Sequence, residues 1–181
     1  QIKYVIMKKF FLGSLLMTLA VLMVNACGPA TKAPQVEGHY TYQHSFNYEM
    51  DGNHFDVHET GTMDFYADSS ALDSARQVYT VLLAEGDTVT WVFNYISPSR
   101  WHQDGEYLYF AGVKDGFRME LVEGEEATEL AEKIVNSYRG GIEYEYKFHI
   151  DTLTDEHLQW SFTYRDGHSD MWQFNKTNNG D

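Results

Sequence analysis

The amino-acid sequence predicts an all-β protein, an antiparallel up-and-down meander that closes into a barrel of about eight to ten strands. Three observations support this prediction. Apolar and polar residues alternate with the two-residue period of half-buried strands. Turns that contain glycine separate these stretches at regular intervals, and one segment alone has helical spacing.

The most regular alternation lies in residues 39–50. One of its faces carries Tyr40, Tyr42, His44, Phe46, Tyr48 and Met50. Asp51-Gly52 follows, and this dipeptide favours a two-residue hairpin because both central positions need a positive φ. Similar alternation recurs at residues 89–95, 117–121, 142–150 and 158–164.

The turn at residues 51–52 also sets the register of this hairpin. Met50 pairs with Asn53, and each step away from the turn adds one pair, so that His44 lies opposite Glu59 on the inward face. A buried charge is costly unless it is paired or hydrogen-bonded. His44 and Glu59 therefore either satisfy one another near a barrel mouth or supply the polar contacts that orient a ligand in an apolar pocket.

The same register places His54, Asp56 and His58 on the outward face. Imidazoles two or four residues apart on a strand can bind zinc or copper, and Glu49, opposite His54, can add an oxygen ligand. Structural zinc sites are usually dry and well supported, whereas this face is expected to be solvated. We therefore predict no metal site. If a metal did bind, His54, Asp56 and His58 would be its candidate ligands.

Aromatic residues are abundant, with 13 tyrosines, 11 phenylalanines and 4 tryptophans, and most fall on inward positions of the predicted strands. They can fill a small barrel completely, or the tyrosine hydroxyls can face a cavity that holds water or a ligand. For the second case, the predicted ligand-binding residues are Tyr42, His44, Glu59, Trp91, Tyr144, Trp160 and Trp172.

One amphipathic helix is predicted near residues 125–138. Its apolar residues recur at helical spacing and are Ala127, Leu130, Ala131, Ile134, Val135 and Tyr138. Gly140-Gly141 can end the helix in the left-handed conformation. A single helix inserted in a meander is expected to cover an open end of the barrel or to pack on its wall.

The N-terminal segment is typical of a secretory signal. Lys8 and Lys9 precede an apolar run that begins at residue 10, and small residues follow before Cys27. The run is about 15 residues long, shorter than the roughly 20 needed to span a bilayer. We predict that residues 1–26 are a signal peptide, with 1–6 upstream of the true start, that 27–36 form a tether, that 37–177 form the barrel domain, and that 178–181 form a tail.

Charge and cysteine content exclude several classes of function. The chain has a formal net charge of −14, and without residues 1–26, which carry three lysines and no acid, the net charge is −17. Nucleic acids and anionic lipid surfaces both reward Lys and Arg, so we predict no nucleic-acid partner. Cys27 is the only cysteine, which excludes an intramolecular disulfide and a zinc-thiolate cluster.

Signatures of enzymes are absent from the sequence. It contains no G-x-S-x-G nucleophile elbow, no H-E-x-x-H metal motif and no glycine-rich phosphate loop. The many acidic residues allow a catalytic carboxylate pair, but nothing in their order along the chain selects one. We therefore predict a protein that is not an enzyme and needs no cofactor.

Several short motifs resemble those of a known group. GHY at 38–40, GTMDFYAD at 61–68, DGEYLYF at 104–110 and IDTLTDEHLQW at 150–160 together resemble the lipocalin-like lipoproteins of Gram-negative bacteria. These proteins combine a lipobox leader with a small calycin-type barrel, and their molecular function is mostly unassigned. The resemblance implies a lipid on Cys27. Because Gly28 replaces the aspartate that retains some lipoproteins at the inner membrane, it also implies anchoring to the periplasmic side of the outer membrane.

Two hypotheses of function follow. In the first, the tethered barrel binds a small apolar or amphipathic molecule. In the second, the barrel is filled, and its acidic outer face docks a cationic protein or an envelope complex, a protein partner that the sequence does not identify. The volume of the barrel interior distinguishes the two hypotheses, since ligand pockets begin at roughly 300 Å³.

Overall fold

The computed structural model describes residues 35–124, 129–142, 144–165 and 167–177. These ranges contain nine strands and one helix. The elements are β1 (Gly38–Met50), β2 (Asn53–Phe65), β3 (Ser70–Leu82), β4 (Thr88–Asp104), β5 (Tyr107–Gly112), β6 (Arg118–Glu123), α1 (Glu129–Gly141), β7 (Glu145–Leu153), β8 (His157–Thr163) and β9 (Ser169–Thr177).

Eight of the strands form a closed antiparallel barrel. Neighbours run in the order β1-β2-β3-β4-β5-β7-β8-β9, and β9 pairs with β1 to complete the ring. β6 is an additional strand that pairs with β4 on the same edge as β5 but nearer the start of β4, at residues 92–96, whereas β5 pairs with residues 99–104. The predicted fold class, an all-β meander closed into a barrel with one helix, is confirmed for the described residues.

The register of the first hairpin is also confirmed. Asp51 and Gly52 have φ angles of 54° and 78°, as a tight hairpin turn with two left-handed residues requires. Met50 pairs with Asn53, and the ladder continues without a shift, so that His44 lies opposite Glu59. The turn therefore determines which side chains of β1 and β2 point into the barrel.

The helix α1 covers the end of the barrel at which this turn lies. Ala131 and Ile134 are buried against inward-facing side chains of β2, β3 and β4. Lys133 Nζ lies 3.0 Å from a carboxylate oxygen of Asp51 in the turn. The apolar stripe seen in the sequence is thus a packing face that closes this end.

The bounds of the helix differ from the prediction. It extends from Glu129 to Gly141, whereas residues 125–128 lie outside the described residues. Gly140 and Gly141 are part of the helix, and neither has a positive φ, so the predicted left-handed ending at these glycines is wrong. Without a left-handed residue there, the helical conformation continues through both glycines.

The start of β7 also differs from the prediction. The alternation predicted for residues 142–150 does not begin at 142, since β7 starts at Glu145. Ile142 is buried because it packs against Gly112 after the end of α1, and its burial does not come from the pleat of a strand. Tyr144 also precedes β7 and is 68% exposed.

The barrel interior contains two apolar clusters. One lies under α1 and includes Phe55, Tyr79, Val81, Trp91 and Phe93. The other includes Tyr40, Phe65, Leu108, Leu158 and Phe174. Burial of large side chains in both clusters is the main stabilising contribution to such a fold, about 1.5–3 kcal/mol for each aliphatic or phenylalanine side chain.

Most of the predictions for the termini concern residues that the structure leaves undescribed. The signal peptide 1–26, Cys27, most of the tether and the tail 178–181 lie outside the described residues and stay predictions. Within the described part of the chain, no helix has both the length and the apolar character needed to cross a bilayer.

Candidate functional site

A cavity of about 540 Å³ opens into the barrel beside the end of α1. Its walls are mostly aromatic, and it is open to solvent. Five of the seven predicted ligand-binding residues line it, and these are Tyr42, His44, Glu59, Trp160 and Trp172. The β-strands hold them on one continuous inner surface, because alternate residues of each strand face the same side.

The other two predicted residues lie elsewhere. Trp91 is 1% exposed and belongs to the apolar cluster under α1, where Ala131 and Ile134 pack around it. It faces inward as its alternation indicates, but at the covered end of the barrel. Tyr144 is largely exposed and is not part of the cavity wall, because it lies in the connection before β7.

Two carboxyl groups lie at the polar side of this cavity. Glu59 on β2 is 7% exposed, and Asp73 on β3 is partly buried. The hydroxyl of Tyr42 contacts both, Asp73 Oδ1 at 2.8 Å and Glu59 Oε1 at a shorter distance. The Tyr95 hydroxyl donates to Asp73 Oδ2 at 2.8 Å. Strands β1 to β4 thus each contribute one side chain to this acidic pair and its donors.

The contacts of Tyr42 require a proton on the acidic pair. Burial, and after it the charges of Asp73 and Glu59, raises the pKa of Tyr42, so its hydroxyl stays protonated. A phenol has one proton and can donate to one carboxylate at a time. Both contacts are hydrogen bonds only when one carboxyl carries its own proton and donates it to the phenol oxygen.

Asp73 is suited to hold this proton. Burial, and after it the charge of Glu59, raises the pKa of the Asp73 carboxyl to about 7. The two hydrogen bonds from Tyr42 and Tyr95 act in the opposite direction but are smaller effects. Two close carboxyls that share a site generally separate in this way, because both cannot ionise without repulsion.

The network continues from Glu59 to the helix. Gln77 Nε2 donates to Glu59 Oε2 at 2.9 Å, and it lies 3.1 Å from the hydroxyl of Tyr138 on α1. The Tyr79 hydroxyl contacts the same Tyr138 hydroxyl at 3.2 Å. The polar side of the cavity is therefore connected by hydrogen bonds to the element that covers the barrel end.

Gly61 on β2 gives the Tyr42 ring the room to reach both carboxyls. A Cβ at position 61 would lie 2.9 Å from Tyr42 Cζ, 2.9 Å from Ala75 Cβ and 2.7 Å from the backbone oxygen of Ser74. Real Cβ atoms do not approach other atoms so closely. Tyr42 thus lies across β2 and β3 over two small residues, Gly61 and Ala75, and its hydroxyl extends to Glu59 and Asp73.

His44 lies beside this network with one unsatisfied nitrogen. The residue is 8% exposed, lines the cavity, and stacks on Trp172 with ring centroids 4.3 Å apart. Its Nε2 atom is buried and has no hydrogen-bond partner among the described residues. Burial lowers the pKa of His44 despite the nearby charges of Glu59 and Asp170, so at neutral pH the ring is uncharged.

Sequence reasoning missed Asp73, Gln77, Tyr95 and Tyr138 as members of the site. β3 was not identified as a strand, because its inward set of Ala71, Asp73, Ala75, Gln77, Tyr79 and Val81 mixes small, polar and apolar residues. The sequence did contain one signal, which is the odd or even position of each residue along the strand, because this position decides the face on which the residue lies. Once Tyr79 and Val81 are assigned to the inward face, Asp73 and Gln77 must share it.

The metal candidates lie on the outer surface, as their parity indicates. His54 Nδ1 lies 2.7 Å from Glu49 Oε1, and His54 Nε2 lies 3.4 Å from Asp56. His58 Nδ1 contacts the hydroxyl of Ser45 at 2.8 Å. In the described ranges, no group of three or more His, Cys, Asp or Glu side chains is placed to hold a metal ion.

No protein-family model matches the chain, and no curated protein sequence shows significant similarity to it.

We predict that Gly61→Ala disrupts the site and destabilises the fold. The added methyl must displace either the Tyr42 ring or the backbone of β3, an overpacking effect of about 1–3 kcal/mol in the free energy of unfolding. Chemical denaturation monitored by tryptophan fluorescence measures this loss. Gly140→Ala is the matched control, since nothing lies within 4 Å of a Cβ there. Equal stability of the Gly61→Ala protein and the unmodified protein would contradict the packing described for Tyr42.

Proposed function

We propose that this protein is a lipid-anchored envelope protein whose lipocalin-like barrel binds a small apolar or amphipathic ligand in the interior cavity. The cavity of about 540 Å³ is the observation that carries the proposal. Pockets for small ligands span roughly 300–1,000 Å³ and combine mostly apolar walls with a few convergent polar groups. Trp160, Trp172 and Phe174 provide such walls, and Glu59 and Asp73 provide the polar groups.

The open interior favours binding of a small molecule over the docking of a protein partner. The second hypothesis assumed a filled barrel, in which aromatic side chains occupy the whole interior. Here aromatic packing fills the cluster under α1, around Trp91 and Phe93, and leaves a space between that cluster and the one around Phe65. A barrel with an open, aromatic cavity suits a ligand with an apolar body.

Anchoring to the outer membrane is the part of the proposal that rests on sequence. The basic pair Lys8-Lys9, the short apolar run and the small residues before Cys27 support cleavage and lipidation at this cysteine. Gly28 supports placement on the periplasmic side of the outer membrane. The tether that follows contains Pro29 and Pro34 and would hold the barrel away from the bilayer surface.

Filling the cavity should abolish binding. Ser99 on β4 lines the cavity, and Ser99→Phe places an aromatic ring in the space that the ligand would occupy. We expect the neutral fluorescent probe phenylnaphthylamine to bind the unmodified protein and to lose at least about tenfold in affinity with Ser99→Phe, because displaced apolar contact area weakens binding. Fluorescence titration measures both affinities.

The control is Asn94→Phe, an outward and exposed position on the same strand. This variant should bind the probe as the unmodified protein does. Native mass spectrometry of protein purified from bacterial envelopes adds a second measurement, in which a co-purified small molecule supports the proposal. Absence of probe binding by the unmodified protein, with no co-purified molecule, would contradict the proposal.

The anchor is tested by Cys27→Ser. A serine at the cleavage site cannot form the thioether to lipid, so the variant should no longer incorporate labelled palmitate and should leave the membrane fraction of a Gram-negative host. Unchanged labelling and fractionation of the Cys27→Ser protein would show that the lipid is not attached there.

A further inference from the structure

The cavity has a negative electrostatic character. Besides tyrosines, the titratable side chains that line it among the described residues are His44, Glu59, Asp73 and Asp170. Three are carboxyls, and His44 is held neutral by the lowering of its pKa on burial. No lysine or arginine is found in the described part of the cavity wall. An anionic ligand would therefore meet repulsion with no compensating positive charge.

The carboxyl oxygens retain capacity to accept hydrogen bonds. Glu59 receives one from Tyr42 and one from Gln77, and Asp73 contacts Tyr42 and Tyr95. Each of the four oxygens thus has one neutral partner and can accept one more. No described cation pairs with either carboxyl. A buried carboxylate is costly without a charged partner. The site therefore favours a ligand that brings a positive group.

His44 supplies a third acceptor next to the pair, because its other ring nitrogen donates to the backbone of Met171 and leaves Nε2 unprotonated. It faces Glu59 across the β1–β2 ladder, where directly opposed side chains lie close together. Its buried Nε2 is unpartnered, and a neutral imidazole with a free ring nitrogen needs a hydrogen-bond partner when it is removed from water. A donor within the cavity that reaches Glu59 is placed to satisfy this nitrogen too.

The aromatic walls favour a cation as well. Trp172 stacks on His44, and Trp160 packs on Phe174 with ring centroids 4.2 Å apart. Faces of tryptophan and tyrosine rings attract positive charge, and the attraction grows where water is excluded. The same rings also provide apolar contact area for the remainder of a ligand.

We propose that the cavity binds a protonated organic amine, whose ammonium group donates hydrogen bonds to Glu59, Asp73 and Nε2 of His44 while its apolar body packs on Trp160 and Trp172. This inference rests on the proposed function and names the chemical class of the ligand. An ammonium group has three donors and no acceptor, which matches three acceptors without a cation of their own. A bare metal ion fits less well, because it has no apolar body to pack on the aromatic walls.

Binding of the amine displaces a proton. The acidic pair holds one proton when the cavity is empty. The titratable groups that face the pair are Tyr42 from β1, Tyr95 from β4 and Tyr138 from α1, and His44 lies beside it. These tyrosines keep their protons, since burial raises the pKa of each. The ammonium therefore replaces the proton of the carboxyl pair: the ammonium ion and the protonated site give the bound ammonium, the carboxylate pair and one proton released to solvent.

The direction of the pH dependence follows. Asp73 has a pKa raised to about 7, so below this pH the amine must displace a bound proton and its affinity falls as the pH is lowered. As the pH rises through about 7 the affinity increases, until the amine itself loses its proton near pH 10. A neutral ligand with the same apolar body has no such dependence.

The test uses three probes with one apolar body, which are phenylbutylamine, phenylbutanol and phenylbutyrate. Calorimetric titration of the full chain at neutral pH should give an affinity for the amine about tenfold or more above that for the alcohol, with the carboxylate weakest. Titration of the amine in two buffers of different ionisation enthalpy should show proton release, and titration of the alcohol should show none.

Glu59→Gln and Asp73→Asn remove one charge each and keep the side-chain shape. Each should abolish most of the preference for the amine and leave binding of the alcohol intact, which also shows that the variant is folded. Asp56→Asn is the matched control, because it makes the same charge change on the outer face of β2 and should leave the preference unchanged.

The outcomes separate this inference from the proposed function. Equal affinities of the unmodified protein for amine and alcohol, or binding of the amine without proton release, would overturn the inference and leave the proposed function standing. Binding of none of the three probes would overturn both. If a site variant fails to fold, the buffer comparison on the unmodified protein decides the question by itself.

Discussion

The hydroxyl of Tyr42, shared between Glu59 and Asp73, is the interaction on which the interior of this barrel depends. It joins strands β1, β2 and β3 through side chains as well as through backbone ladders. It also requires that one carboxyl hold a proton, since a phenol can donate only once. The negative character of the cavity and the ligand proposed for it follow from burying two acids in one place without a cation among the described residues.

The rest of the interior is apolar, and its burial offsets the cost of burying this network. The cluster around Trp91 and Phe93 under α1 and the cluster around Phe65 and Leu158 bury large side chains on either side of it. These clusters stabilise the fold, while the network between them contributes little net stability, as buried polar groups generally do. The proposed binding site and the stabilising clusters thus lie at different levels of one barrel.

The parts of the structure that could be predicted from the sequence are those with a clear local pattern of turn residues or of alternating polarity. Asp51-Gly52 fixed a turn, and the strict alternation around it then determined the His44–Glu59 pairing, so that this part of the site was reached from sequence alone. β3 was missed because Asp73 and Gln77 are polar residues on an inward face, where alternation of polarity no longer reports direction. A strand with polar residues on its inward face loses the alternation by which strands are recognised.

Other differences arise from tertiary packing that no local pattern contains. Trp91 faces inward as predicted, but whether an inward position lies at a cavity or under a helix depends on where α1 packs. Tyr144 has the parity of a strand residue, yet the strand begins only at Glu145, after a connection that holds Ile142 against Gly112. Periodicity assigns a face, and the position along the barrel axis comes only from the assembled fold.

The protonation state of Asp73 tests the central interaction most directly. Carbon-13 NMR of the side-chain carboxyl groups follows each titration as a change in chemical shift, with Asp73→Asn identifying the signal. A midpoint near pH 7 for Asp73 is expected if the acidic pair shares a proton through Tyr42. A midpoint near the ordinary aspartate value of about 4 would show instead that both carboxyls ionise independently, and the shared hydroxyl would no longer explain the interior.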